Sequence, residues 1–386
     1  MSIYWPRFDN VGLDESIAPI DYLDWYIPRL SENREHNLSF SGMQFDWDIS
    51  KLMGDSLFDI AKKHIDEVED PRQLIAEREG VSIDNVLICN GATQCLSIAL
   101  IAAISRYHND QQITVMVESP TYAPIPQSAL LLVNEVLEVE RNPPIDGLGY
   151  WRINREQWND GFNKSQILMM TPISNPSGWR LHPEDKQWIF EKSRETDTTI
   201  ISDEVYLDAY RNHSSYFPFH KYGNGFISIN SLTKIYALGQ IRFGWIIADE
   251  NIIENARRIF MTFSGVMSSP TMRIASSALR SLEMVDDAIE QYRRENLPKL
   301  RSVLKQFEIV WNEPEAGLFG AFQLPNGLNA EDFADGECKE NDLLVVPCSM
   351  FSKKMDDWVR VSWSVKPEKF ESAIKALENA LDSVLK

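Results

Sequence analysis

The feature that most constrains this chain is a series of seven short apolar runs between residues 86 and 248, each leading into or out of a polar, Gly- or Pro-bearing turn. They fall at residues 86–89, 113–117, 136–139, 167–170, 199–201, 226–229 and 243–248. Runs of three to six residues suit buried strands and are too short for core helices. Helix-patterned segments stand between them at about residues 94–105, 124–132 and 183–196. Apolar strands alternating with helices predict an α/β fold: a large domain with a mainly parallel seven-stranded sheet covered by helices on both faces.

The texture changes near residue 269. Residues 271–306 read as one or two long helices rich in Arg, Glu and Leu. Shorter strands follow at 308–311, 319–324, 343–346 and 359–363, then a helix from Pro367 to about Leu385. This predicts a smaller α+β domain formed by both chain termini. The division expected is an N-terminal segment, 1–45, packing on the small domain or on a partner; a large domain, 46–270; and a small domain, 271–386.

The formal charge is −19. A surface this acidic repels phosphate backbones and anionic lipid, so neither nucleic acid nor a membrane is expected as a partner. It leaves room for a local basic pocket. The four cysteines form no C-x-x-C pair and no Cys/His cluster with zinc spacing, so no metal is expected. Few cysteines and an opening stretch without a basic-then-apolar leader pattern predict a cytoplasmic protein.

Ligands of α/β sheets bind outside the carboxyl ends of the strands, so those neighbours are the candidate site. Residues 86–89 run into Asn90-Gly91-Ala92-Thr93, a turn whose N–H groups and hydroxyl suit a phosphate. Residues 113–117 lead to Tyr122, a candidate aromatic platform, and 167–170 lead to Asn175 in a rigid Asn-Pro-Ser-Gly turn. Residues 199–201 lead to Asp203 and Tyr206, and 226–229 lead to Ser231-Leu232-Thr233-Lys234. Arg242 stands eight residues beyond Lys234, and Arg360 lies inside an alternating apolar strand, where it needs an anionic partner. Taken singly, a helix cap, a half-buried Tyr and a plain turn explain several of these equally well. Taken in order, they form one kit that holds a phosphorylated aromatic aldehyde, condenses it with a lysine and docks a carboxylate.

The order and spacing resemble the fold-type I pyridoxal-phosphate enzymes of the class I/II aminotransferase family, over about residues 37–364. The most specific motifs are Ser202-Asp203-Glu204-Val205-Tyr206, Ser231-Leu232-Thr233-Lys234 and Arg242. The resemblance implies pyridoxal 5'-phosphate as cofactor, with Lys234 carrying its Schiff base and acting as general base and acid. Asp203 then pairs with the pyridine nitrogen, and Tyr206 and Asn175 bond the ring hydroxyl. Gly91, Ala92, Thr93, Ser231 and Arg242 hold the phosphate, and Tyr122 stacks on the ring. Arg360 takes the substrate carboxylate, beside Asn175. Residues 37–42 look like the short strand whose glycine, Gly42, lies near the substrate. A homodimer is implied, because sites of this family lie at the subunit interface.

One departure stands out. The family usually carries a Tyr between that glycine and the phosphate turn, whose hydroxyl reaches the partner's phosphate. Residues 43–89 contain no Tyr; Asp70-Pro71-Arg72-Gln73-Leu74 is the nearest relic, and Phe58 is a candidate to fill part of the space. Transamination between an amino acid and a 2-oxo acid is the reading the resemblance favours. The departure keeps a β-eliminating lyase, a racemase, a decarboxylase or an oxidase on the same cofactor as alternatives. A ligand-sensing domain of a transcription regulator is the non-enzymatic reading, and the chain has neither spare length nor basic charge for a DNA-binding extension. Trp5, Tyr22, Trp25, Met43 and Trp47 lean the substrate toward an aromatic or aliphatic amino acid, though packing of the small domain explains them as well.

Overall fold

The computed structural model describes residues 20–53, 69–107 and 112–385; Trp5 and Phe58 lie outside the described residues. Thirteen strands form among them. After β1 (His36–Asn37) come β2 (Val86–Cys89), β3 (Thr114–Ser119), β4 (Glu135–Asn142), β5 (Arg152–Ile153), β6 (Ile167–Met170), β7 (Thr199–Asp203), β8 (Phe226–Ser231) and β9 (Gly244–Ile247). Strands β2 to β9 make one sheet in the order β2-β9-β8-β7-β6-β3-β4-β5. Neighbours from β8 through β4 run parallel, while β9 is antiparallel to both β8 and β2 and β5 is antiparallel to β4.

All seven strands expected in this sheet are present, and the two-residue β5 adds an eighth at the edge. No apolar run announces β5; it forms because Arg152 ties to Asp185 on the covering helix Pro183–Thr196, with Nε to Oδ2 at 2.7 Å, which holds the backbone against β4. Every residue of β2, β3, β6, β7, β8 and β9 is buried, as a sheet covered on both faces requires. Helix Ala92–Ile104 packs on one face and is itself nearly all apolar. A separate apolar cluster around Trp158, Phe162, Ile189 and Phe226 fills the other.

The remaining strands are β10 (Phe319–Gln323), β11 (Leu343–Leu344), β12 (Val346–Pro347) and β13 (Trp358–Ser362). They form a small antiparallel sheet, β10-β13-β12, and a parallel pair, β1-β11. Helix Pro367–Leu385 packs on β1 and β11 and against helix Glu283–Gln306, whereas helix Ser269–Leu279 packs on helix Pro71–Glu79. The strand expected at 308–311 does not form. Glu308 takes a left-handed φ of 55° and the Ile309 N–H turns back to the Leu304 carbonyl, so the segment closes a helix and pairs with no strand. The N-terminal helix Asp21–Leu30 buries Tyr22 and Trp25, and its Arg29 forks onto Asp335 at 2.8 and 2.5 Å. No helix among the described residues is long and apolar enough to cross a membrane.

The two sheets meet where Gly178 touches the chain before β10. The N–H of Gly317 donates to the Gly178 carbonyl at 2.7 Å. A Cβ on Gly178 would lie 2.1 Å from the Phe319 carbonyl oxygen, and the residue sits at φ +72°, so only glycine fits this approach. The contact fixes the turn bearing Asn175 against the strand that pairs with Arg360.

Candidate active site

Strands β2, β3, β6, β7 and β8 all point their carboxyl ends to one edge. Because β9 runs the other way, its amino end reaches the same edge and delivers Arg242 two residues before Gly244. A cavity of about 150 Å³ opens there. Ala92, Thr93, Tyr122, Asn175, Asp203, Tyr206, Ser231, Lys234 and Arg242 all line it, together with Leu96, Thr171, Val205 and Thr233. Nine of the twelve residues singled out from the sequence therefore share one wall.

At one end stands the amino terminus of helix Ala92–Ile104. Gly91 caps it with no side-chain hydrogen bond, so its first N–H groups remain open to an anion. Gly91 has φ +86°, and a Cβ there would lie 2.5 Å from Arg242 Nη2; the guanidinium rests on the space a side chain would fill. Thr93 and Arg242 are exposed, whereas Ser231 is fully buried with its Oγ accepting from the Thr233 N–H at 3.3 Å.

At the floor, Asp203 ends β7. Burial raises its pKa to about 6, against the Val205 N–H at 3.2 Å and the nearby Lys234 charge, which both favour the ionised form. Lys234 faces it across the cavity. Burial lowers the lysine to about 8, Arg360 and Arg242 push the same way, and Asp203 opposes them. Its Nζ donates to Ser41 Oγ at 2.7 Å. Tyr206 is buried, its phenol raised by that burial, and its ring meets Phe319 edge-on at 5.0 Å. Tyr122 is half-buried and takes the edge of Tyr22 from the N-terminal helix at 5.7 Å.

Arg360 lies just beyond, fully buried in β13. Its Nη1 donates to Asn175 Oδ1 and its Nη2 to the Ser39 carbonyl, each at 2.8 Å. The Nε has no partner among the described residues. Phe319 and Phe351 hold the guanidinium at 4.9 and 5.1 Å from their ring centres. A buried cation facing two neutral acceptors and no carboxylate suits an incoming anion. Gly42 lies beside the site: its Cβ position is 3.2 Å from the Lys234 carbonyl oxygen, so it packs on the lysine backbone while Ser41 supplies the hydroxyl.

Sequence reasoning passed over two groups. One is Ser41, whose contact to Lys234 spans 193 positions. The other is Asp208, buried beneath the lysine loop, where it accepts from Asn230 at 3.1 Å, Tyr236 at 2.8 Å and Arg211 at 3.1 Å. These bonds tie the ends of β7 and β8 together. Asp70, in the relic of the missing Tyr motif, caps helix Pro71–Glu79 by accepting the Arg72 N–H at 2.9 Å.

The donor set fits pyridoxal phosphate: an uncapped helix start beside Arg242 for a phosphate, a buried carboxylate with no salt bridge among the described residues for a ring N–H, and a desolvated lysine on the same cavity wall. Comparison with known proteins adds to this. A family model described as aminotransferase class I and II matches residues 66–377. The aromatic-amino-acid aminotransferase 2 of Thermococcus litoralis is 25% identical over 327 residues, 80% of this chain and 81% of its own. The aspartate aminotransferase of Pyrococcus horikoshii is 22% identical over 311 residues, 78% of this chain and 76% of its own. Among solved structures, the alpha-aminoadipate aminotransferase of Thermus thermophilus, complexed with N-(5'-phosphopyridoxyl)-L-leucine, superposes with a TM-score of 0.77. It is 17% identical and the match covers 93% of this chain and 95% of that one.

Proposed function

We propose a chemistry from the premise that this chain belongs to the class I and II aminotransferases: it is a pyridoxal-phosphate-dependent transaminase that moves an amino group between an amino acid and a 2-oxo acid. The observation that carries the assignment of roles is the cavity that gathers Lys234, Asp203, Tyr206 and the phosphate turn. When bound, the cofactor supplies an aldehyde for the lysine and an electron-withdrawing ring that accepts the electron pair released at the substrate α-carbon.

The chain's residues do the rest. Thr93, Ser231, Arg242 and the N–H groups of Ala92 and Thr93 hold the phosphate. Asp203 keeps a proton on the ring nitrogen, and the ion pair so formed offsets the desolvation that raises its pKa. Tyr206 and Asn175, on the cavity wall, would bond the ring hydroxyl, and Tyr122 would stack on the ring. Arg360 grips the substrate carboxylate with the fork that now rests on Asn175 and Ser39. Lys234 Nζ would take the substrate α-proton, hold it on the ammonium and release it again in the second proton transfer. With its pKa near 8 a useful fraction of the amine is neutral at physiological pH, as a base requires.

The substrate class proposed is an aromatic or aliphatic amino acid, on the aromatic surround of Tyr22, Tyr122, Phe319 and Phe351 near Arg360. We also propose a cytoplasmic homodimer. Thr93 and Arg242 are exposed at the phosphate end. Beside them, exposed Met261, Phe263 and Val266 continue from Ser264, whose hydroxyl accepts from Gln94 at 2.6 Å. The division of the chain into 1–45, 46–270 and 271–386 is part of the same reading. Borohydride reduction of cofactor-loaded protein followed by peptide mapping tests it: the fixed cofactor is expected on Lys234, and its appearance on another lysine would overturn the assignment.

A further inference from the structure

Residues 38–44 thread between the two sheets and touch the site at three points. Leu38 pairs with β11 and β13, its N–H donating to Leu344 at 2.9 Å and its carbonyl accepting from Ser362 at 2.7 Å. Ser39 offers its carbonyl to Arg360. The Met43 N–H donates to the Lys234 carbonyl at 2.8 Å, and the Gly42 carbonyl accepts from Ser364 Oγ at 2.8 Å. The segment is thus pinned on both sides of Ser41. The hydroxyl of Ser41 takes the Lys234 ammonium at 2.7 Å and stands next to the Tyr206 phenol, whose pKa it lowers against the effect of burial.

We propose that Ser41 is a positioning residue for Lys234: its hydroxyl holds the ε-nitrogen beside Tyr206 during the steps in which that nitrogen is free. The inference rests on Lys234 being the transamination base. A lysine freed from its covalent link swings on a flexible four-carbon stem, and proton transfer needs it held within hydrogen-bond reach of the α-carbon. In that transfer the Cα–H bond breaks, an N–H bond forms at Nζ, and the electron pair of the broken bond is left at the α-carbon, from which the bound cofactor would withdraw it. The charged neighbours of Lys234 are Arg360 from β13, Asp203 from β7 and Arg242 ahead of β9. The guanidinium groups only donate and an ionised carboxylate only accepts. A hydroxyl does both, so Ser41 can hold the nitrogen as ammonium and as neutral amine alike.

The test is the single half-reaction of cofactor-loaded protein, followed by loss of its visible band with L-phenylalanine or L-aspartate, whichever converts the wild type, carrying hydrogen or deuterium at the α-carbon. Ser41→Ala is expected to slow conversion about tenfold, the worth of one hydrogen bond, with a larger isotope effect and an unchanged half-saturating concentration. Ser41→Thr, which keeps the hydroxyl, is expected to recover most of the rate. In cofactor-free protein, with Lys234→Ala as the blank, the pH at which Lys234 reacts with an amine-selective reagent should fall in Ser41→Ala, because the ammonium loses an acceptor while the charged groups Asp203, Arg360 and Arg242 are untouched. Wild-type rate and isotope effect in Ser41→Ala would overturn the proposal, as would a defect confined to half-saturation. A wild type that no amino acid converts would instead overturn the transaminase reading beneath it.

Discussion

Replacing Asp203 by Asn should stabilise the cofactor-free protein while crippling the loaded one. The carboxyl is buried at the end of β7 with the Val205 N–H and a nearby lysine for compensation, and its pKa rises from an ordinary 3.8 to about 6. A raised acid pKa means that the folded state binds more protons than the unfolded state between those values. Stability therefore falls as pH climbs from about 4 to about 6 and is flat above that. A rise of this size corresponds to about 3 kcal/mol at pH 7.5. The amide of the Asp203→Asn variant carries no charge to desolvate and keeps an oxygen for the Val205 N–H. Urea unfolding of cofactor-free wild type and variant, from pH 5 to pH 8, reads the difference directly. The variant should be more stable at pH 7.5 by a few kcal/mol, with the gap narrowing toward pH 5. Equal stability and equal pH slopes would refute the claim that folding gives up stability to place an ionised carboxylate here for a ring N–H to meet.

Lys234→Ala should retain cofactor without a covalent link and lose at least about 10³-fold in turnover, checked by borohydride trapping and steady-state rates. Arg360→Lys loses the fork that suits a carboxylate, so the half-saturating amino acid concentration should rise about tenfold or more with the cofactor spectrum unchanged. Gly91→Ala forces a Cβ to 2.5 Å from Arg242 Nη2 at a left-handed φ, and equilibrium dialysis should show cofactor held roughly 10 to 100 times more weakly.

The large sheet was legible because six of its strands are wholly buried and so read as apolar runs, from Val86-Leu87-Ile88 to Ile200-Ile201. The site was legible for a related reason: an apolar strand that stops at Asp203 or Ser231 marks the edge where polar groups emerge. What stayed hidden depends on contacts distant in sequence. Arg242 reaches the site because β9 is antiparallel, which spacing alone does not state. The apolar look of residues 308–311 promised a strand, but a strand needs a partner, and Glu308 turns the chain away. Ser41 carries no motif, and only the pinning of residues 38–44 between the sheets brings its hydroxyl to Lys234. Asp208 is invisible in the same way, since the charges it balances, Arg78 and Arg211, approach from different elements.

The most direct measurement is an absorbance titration of cofactor-loaded protein with a panel of amino acids, then with the matching 2-oxo acids. One amino acid should convert the lysine-linked band to the aminated form of the cofactor, the matching 2-oxo acid should restore it, and Lys234→Ala should do neither. Release of ammonia or carbon dioxide without that reversible conversion would contradict transamination.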